Sequence, residues 1–269
     1  QKGLYGTWNG QLTSHLKALL GGRFSWYDFL YATPDGYRDA TRTSAKFTPS
    51  VGLIHALTPQ WSAYASYADV FQPQTNHDVA GRTLKPITGS SYEGGIKGEL
   101  AEGKVNTSLA VFRYEHKDRA VTDYAAGFAC DGWYCSRASG KVRSQGLEAE
   151  VSGEVARGLQ LSAGYAYTTT TYLDDPDNKG QVFSTWTPKH MLRLWSGYTL
   201  PGAWDKFSVG AGASLQSHTV DTERTFKVAG FSIWNARLGW QATPQVALSV
   251  NVNNVFDKRY IIPAYNTTG

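Results

Sequence analysis

Methionine occurs once in 269 residues, and long runs of the helix formers Ala, Glu, Leu and Lys are missing. That shortage argues against a helical domain. No eighteen consecutive apolar residues occur, so no segment can cross a bilayer as a helix. A membrane is not thereby excluded. A barrel strand alternates lipid-facing with lumen-facing side chains and averages to the hydropathy of a soluble protein, as the mean of −0.37 does here. Charge is also scarce, at 18% of residues, and the net of +4 is spread along the chain. No basic stripe for nucleic acid and no polybasic tract for a membrane surface stands out.

Catalytic groupings are missing too. His15, His55, His77, His116, His190 and His218 are scattered, without a Ser-His-acid set or a metal-spaced cluster, and no phosphate-binding glycine loop occurs. Glu148, Glu150 and Glu154 repeat on one strand face, which reads as a hydrated wall rather than an acid–base pair. The chain is therefore not read as an enzyme. Cysteine is limited to Cys130 and Cys135, in CDGWYC. With four residues between them in a turn-like segment, the two fit a small disulfide loop in an oxidising compartment. The alternatives are two free thiols, or half of a metal site without its other ligands.

What is abundant points to strands. Aromatic residues make up 13% and glycines number 28. Val246, Leu248, Val250 and Val252 alternate with Ala247, Ser249, Asn251 and Asn253, which puts branched apolar side chains on one face of a strand. Leu4 to Leu12, Leu16 to Trp26, Tyr92 to Leu100, Leu147 to Val155, Leu159 to Tyr167, Phe207 to Leu215 and Trp234 to Trp240 alternate likewise. Between Phe47 and Phe71 the alternation is too weak to assign faces. On the strand from Tyr92, the charges of Glu93, Lys97 and Glu99 share one side, where lipid would cost each roughly 2–4 kcal/mol, so that side lines water. Twelve strands result. Short links at 13–14, 58–60, 101–104, 157–158, 201–206 and 243–245 alternate with long ones at 32–43, 72–91, 120–140, 173–188 and 217–230. Outer-membrane barrels show this asymmetry of short periplasmic turns and long external loops; a soluble sandwich or propeller would not sort its loops so regularly.

Several segments also carry a family wording. NVNNVFDKRY, ending at Tyr260, resembles the N-x-x-N-x-F/L-D-K-x-Y segment near the C-terminus of TonB-dependent outer-membrane receptors. LKPITGSSYEGGIKGEL resembles the family's L-x-P-E-x-x-x-x-Y-E-x-G-x-K stretch, with Ile87 where an acidic residue is common. VRSQGLEAEVSGE and TPKHMLRLWSGYTLPG are similar to its V-x-S-x-G-x-E-x-E hairpin and its T-P-x-H-x-x-x-L-W entry. The resemblance covers nearly the whole chain, in family order. It implies an all-β antiparallel transmembrane barrel, of which residues 1–269 supply about twelve of twenty-two strands, the tenth to the twenty-first. The plug domain, the energy-coupling box and the signal peptide are expected upstream. The closing strand is expected beyond Asn266, Thr267, Thr268 and Gly269.

In function, the resemblance implies a bacterial outer-membrane receptor that binds a ferric siderophore at the surface and imports it with TonB-coupled energy. The wording is most like the branch for hydroxamate-type chelates such as ferrichrome, ferrioxamine, pyoverdine or alcaligin. Implied partners are the chelate, the TonB–ExbB–ExbD complex through the N-terminal region, and outer-membrane lipid and lipopolysaccharide. No cofactor and no nucleic acid is implied. Tyr124, Phe128, Trp133, Tyr134 and Arg137 lie in one long loop, Tyr172 and Trp186 in or beside a second, and Arg224 in a third. Aromatic faces with a few cations suit a large, oxygen-rich, anionic chelate, and these residues are the candidate ligand site. Packing among the loops, or a place at headgroup level, is the alternative for Trp133 and Trp186. A passive channel and a surface adhesion or phage-docking barrel are the other readings of such a wall.

Overall fold

The computed structural model describes residues 1–32, 34, 38–130, 132–221 and 223–262. Its strands are β1 (Lys2–Gln11), β2 (Leu16–Ala32), β3 (Arg38–Ala56), β4 (Trp61–Gln72), β5 (Ile87–Leu100), β6 (Val105–Thr122), β7 (Ser136–Ala156), β8 (Leu159–Asp174), β9 (His190–Thr199), β10 (Phe207–Gln216), β11 (Thr219–Val220), β12 (Lys227–Val228), β13 (Phe231–Thr243) and β14 (Val246–Val252). Twelve of them form one antiparallel sheet in sequence order, with β1 and β14 at its margins. The two-residue strands β11 and β12 pair apart from it as a small hairpin. Each strand therefore meets the next through a hairpin link, the meander that a barrel wall requires.

Register carries one apolar face across the sheet. Trp8 lies opposite Leu20, Leu20 opposite Val51, and Val51 opposite Tyr67. Further along, Val151 faces Ala163, Ala163 faces Leu194, Leu194 faces Ala213, and Ala213 faces Trp234. The strands at Phe47 to Phe71, whose faces the weak alternation leaves open, join this register without a slip along their shared length. Val111, Leu238, Leu248 and Val250 are each more than half exposed. The largest fully buried side chain is that of Cys135. An apolar face of twelve strands with no covering layer would drive a water-soluble protein to aggregate; hydrocarbon solvates it. The other face is wet: Tyr64 Oη donates to Glu93 Oε1 at 2.6 Å, and Lys97 Nζ sits 4.9 Å from the Tyr64 ring centre.

Four of the five expected long links are shorter than their sequence suggests, and the one at 217–230 keeps its length. The polar segment 32–43 is mostly ladder, because β2 runs to Ala32 and β3 already starts at Arg38. β5 likewise begins at Ile87 rather than Tyr92, β6 reaches Thr122, and β7 starts at Ser136. The remaining connections at this end are 33–37, 73–86, 123–135, 175–189 and 217–230. Alternation is the signature of a strand with one dry face. Beyond the apolar belt both faces meet water, so a polar strand persists there on backbone hydrogen bonds alone.

The N-x-x-N-x-F-D-K-x-Y segment folds as a tight knot at the end of β14. Asn254 occupies the left-handed region at φ 54°, which asparagine tolerates better than most residues. Its side chain accepts from the Lys258 backbone N–H at 2.9 Å and donates to the Lys258 carbonyl at 3.1 Å. The knot is sewn to β13 by Asn254 N–H to Asn235 Oδ1 at 3.0 Å and by Val255 N–H to the Trp234 carbonyl at 2.8 Å. Phe256 then meets Trp234, and Tyr260 meets Phe231 with ring centres 4.3 Å apart. The segment's chain end from 263 onward, including Asn266, Thr267, Thr268 and Gly269, lies outside the described residues.

Candidate functional site

The candidate residues sit on the crown of links at the long-loop end, in two separate groups. The first is built on the link between β6 and β7. Cys130 and Cys135 are joined as a disulfide with Cα atoms 5.1 Å apart. Between them the backbone turns back, Trp133 N–H donating to the Cys130 carbonyl at 2.8 Å, and Gly132 takes φ 83°. Gly132 at the tip supplies the left-handed backbone that a tight hairpin favours. Cys135 is 1% exposed, and its carbonyl accepts from Asp123 N–H at 2.8 Å. Over this base Tyr134 touches both Phe128, at 4.3 Å between ring centres, and Tyr124, edge-on at 5.3 Å. Trp133 has no ring contact among the described residues and is 77% exposed.

The link between β4 and β5 props this group up. Ser136 N–H donates to the His77 carbonyl at 2.8 Å, and Cys130 Sγ lies 3.3 Å from the Asp78 carbonyl oxygen, a van der Waals contact since a disulfide sulfur has no proton to give. Asp78 closes its own turn, accepting from the Ala80 and Arg82 backbone N–H groups at 2.9 Å each and pairing with the Arg82 guanidinium at 2.8 Å. The Arg82 backbone and side-chain hydrogen bonds hold its carboxyl below the usual carboxylate value. Gln74, buried, donates to the carbonyls of Lys85 and Asp118 and accepts from Ala120 N–H at 3.1 Å, so one amide locks the link onto β6.

The second group joins the ends of β6 and β8 to the link containing β11 and β12. Tyr172 and Phe183 meet edge-on at 5.2 Å. The Arg119 guanidinium lies 4.7 Å from the centre of the Phe183 ring, and that of Arg224 lies 5.7 Å from Tyr172. Arg224 also donates from Nε and Nη2 to the Val182 carbonyl, at 3.2 and 2.9 Å, and from Nη1 to Asn178 Oδ1 at 3.1 Å. Three donors of its fork are thus committed to the loop 178–182.

Of the residues expected at the site, Tyr124, Phe128 and Tyr134 are brought together, and Tyr172 is brought to Arg224. Trp133 and Arg137 are exposed, and neither has a ring, hydrogen-bond or ion-pair partner outside its own hairpin backbone among the described residues. Trp186 is 51% exposed beside buried Thr185. Arg119 is the site cation that strand-pattern reasoning misses. The ladder slips on either side of it, and Asp118 just before it has φ 64°, so a bulge re-aims the side chain toward Phe183. The unalternating run His116, Lys117, Asp118, Arg119 is the trace such a bulge leaves in sequence.

The family model described as "TonB dependent receptor-like, beta-barrel" matches residues 1–255. The chain belongs to that family. Its members are outer-membrane receptors rather than enzymes, and the uncovered apolar face is accordingly the lipid face of an outer-membrane barrel wall. The chain is 40% identical over 283 residues to the Ferric-pyoverdine M114 receptor PbuA of Pseudomonas sp. strain M114, covering all of this chain and 33% of that one. It is 36% identical over 279 residues to the Ferripyoverdine receptor of Pseudomonas aeruginosa, covering 97% and 32%. Among solved structures, the ferripyoverdine receptor of the P. aeruginosa outer membrane bound to ferripyoverdine superposes with a TM-score of 0.83 at 35% identity, over 96% of this chain and 35% of that one. The chain thus spans about a third of the length of the relatives it matches.

Proposed function

We propose that residues 1–269 form the C-terminal portion of the barrel of a receptor that binds a ferric siderophore at the cell surface and carries it to the periplasm, driven by the TonB–ExbB–ExbD complex. The cargo is a ferric pyoverdine or a chelate of similar build, with hydroxamate arms as the narrower reading. The observation that carries this is the 40% identity to a ferric-pyoverdine receptor along the entire chain. The crown supports it. Tyr124, Phe128, Trp133 and Tyr134 offer exposed aromatic surface for the flat parts of a chelate, and Arg137 offers a cation not engaged by a side chain among the described residues. Tyr172, Trp186 and Arg224 add aromatic and cationic surface from the second group, with Arg224 also bracing its loop.

The test uses the complete receptor in a strain that makes no siderophore and has lost its own receptors. Growth under iron limitation is measured with ferric pyoverdines, ferrioxamine, ferrichrome and ferric citrate supplied one at a time. Growth on a pyoverdine, abolished by removing TonB, is the expected result. Failure to grow on any of the chelates, with the receptor present in the outer membrane, overturns the proposal.

A further inference from the structure

Gln74 stands where a ladder runs out. β5 pairs with β6 only as far as Thr88 opposite Lys117, yet β6 continues to Thr122. Beyond that rung the Gln74 carboxamide takes the place of the next strand residue. Its Nε2 donates to the Asp118 carbonyl at 2.7 Å, and its Oε1 accepts from Ala120 N–H at 3.1 Å. Those are the peptide groups on either side of Arg119. A carboxamide carries the donor and the acceptor of a peptide group, so one buried side chain can stand in for a missing partner. Nε2 also donates to the Lys85 carbonyl at 2.5 Å, which ties the amide to its own link. The left-handed backbone of Asp118, φ 64°, is held from the same side, since its carboxylate takes Lys85 Nζ at 2.8 Å and Thr88 Oγ1 at 3.1 Å. Across the ladder Gly140 lies opposite Arg119, and a Cβ there would meet Val121 Cγ1 at 2.8 Å and Arg119 Cβ at 3.2 Å, so glycine leaves room for the bulge.

We propose that Gln74 and Asp118 are positioning residues that hold Arg119 against Phe183, and so make the order of loop 175–189 depend on the link 73–86. Arg119 makes no hydrogen bond or ion pair through its side chain among the described residues, so its direction is set by its backbone and by the Phe183 ring 4.7 Å away. Freeing the peptide groups that flank it turns the side chain, and a guanidinium drawn away from the ring loses the attraction. Phe183 in turn sits in a loop stitched to β8, with Ser184 N–H donating to Thr170 Oγ1 at 2.9 Å and Tyr172 N–H to the Gln181 carbonyl at 3.0 Å. No hydrogen bond joins Gln74 to 175–189 among the described residues, so the effect passes through Arg119. The disulfide hairpin is not on this path, because neither the Gln74 nor the Asp118 side chain bonds to 123–136. If the second group meets the chelate as proposed above, Tyr172 and Trp186 take their places there from a link that carries no ligand residue. The joint itself is read without chelate, so it stands or falls apart from that reading.

The test is amide hydrogen exchange on the complete receptor in detergent, with no chelate present. Gln74→Leu keeps the bulk and removes all three hydrogen bonds. It should speed exchange at 178–186 about fivefold, although Gln74 is bonded to none of those residues. Arg119→Gln should do the same, and the two substitutions together should be no worse than either alone, because they break one chain of contacts. Asp118→Gly keeps the left-handed backbone and loses only the carboxylate, whereas Asp118→Val disfavours that backbone, so the valine should loosen 178–186 more than the glycine does. Faster exchange confined to 73–86 and 117–121, or effects of Gln74→Leu and Arg119→Gln that multiply in the double variant, overturns the proposal. If Gln74→Leu does not form a barrel, the Asp118 pair decides, and equal exchange at 178–186 in the glycine and valine variants overturns it.

Discussion

Two aromatic loops of similar composition stand on the same crown and are held in opposite ways. The link between β6 and β7 is braced from beneath by the Cys130–Cys135 disulfide, and its rings look outward: Trp133 is 77% exposed, Phe128 65% and Tyr124 58%. The link between β8 and β9 is braced by a guanidinium, and Arg224 and Arg119 lie against its rings while Tyr172 and Phe183 pack on each other. A covalent brace uses no side-chain surface above the hairpin, so its rings touch only one another and keep much of their surface exposed. A cation–aromatic brace consumes the groups it organises. We propose that the first loop faces the ligand and that the second serves mainly as scaffold.

The strongest test of that contrast is Trp133→Ala in the complete receptor. It should weaken chelate binding by about 2 kcal/mol, roughly thirtyfold, as loss of an exposed aromatic anchor does, whereas Phe183→Ala should change affinity far less. Titration by intrinsic fluorescence quenching reads both, and equal losses would erase the distinction. Next in size, replacing Cys130 and Cys135 together by Ser should cost the hairpin about 2 kcal/mol of local stability, the value for so short a closed loop. Hydrogen exchange should then rise at 123–136 and leave 175–189 unaltered. Arg224→Gln should do the reverse. It removes charged donors to Val182 and Asn178, worth about 1–2 kcal/mol where partly exposed, and Lys at the same place should not restore protection because it lacks the fork.

The smallest effect is on acidification. Asp78 is held below the ordinary carboxylate value by Arg82, so its ionised form stabilises the prop beneath the disulfide hairpin. A lowered folded value means the contribution is present above the unfolded value of 3.8 and is lost as pH falls through the lower, folded one. Exchange protection at 78–82 should therefore hold down to about pH 4 and decline below it, and Asp78→Asn should remove that pH dependence.

Much of this was legible in the residues. Strict alternation marked Val246 to Val252, Leu147 to Val155 and Phe207 to Leu215 as one-face-dry strands, and the register found for them keeps their apolar sides together. CDGWYC was read as a disulfide loop, and the two cysteines are joined. Residues 38–43 and 87–91 read as loop in the sequence because a strand wetted on both sides carries no pattern, yet they are strand. Arg119 escaped notice for a related reason: a bulge changes which way a side chain points without changing its neighbours in sequence. Gly146 illustrates the same limit. It looks like any strand glycine, yet a Cβ there would collide with the Tyr167 carbonyl across the ladder, so only glycine allows β7 and β8 to lie this close.

By itself, then, the order of residues determined that the chain is a wall with one face for hydrocarbon and one for water, because a period of two is local and needs no partner to be read. It also determined the family, through wording that spans nearly every strand. Tertiary structure alone decided which loop aromatics keep their faces exposed and which arginines are already engaged. Those depend on which strand lies beside which and on where the ladder slips, and contacts between residues tens of positions apart leave no local trace.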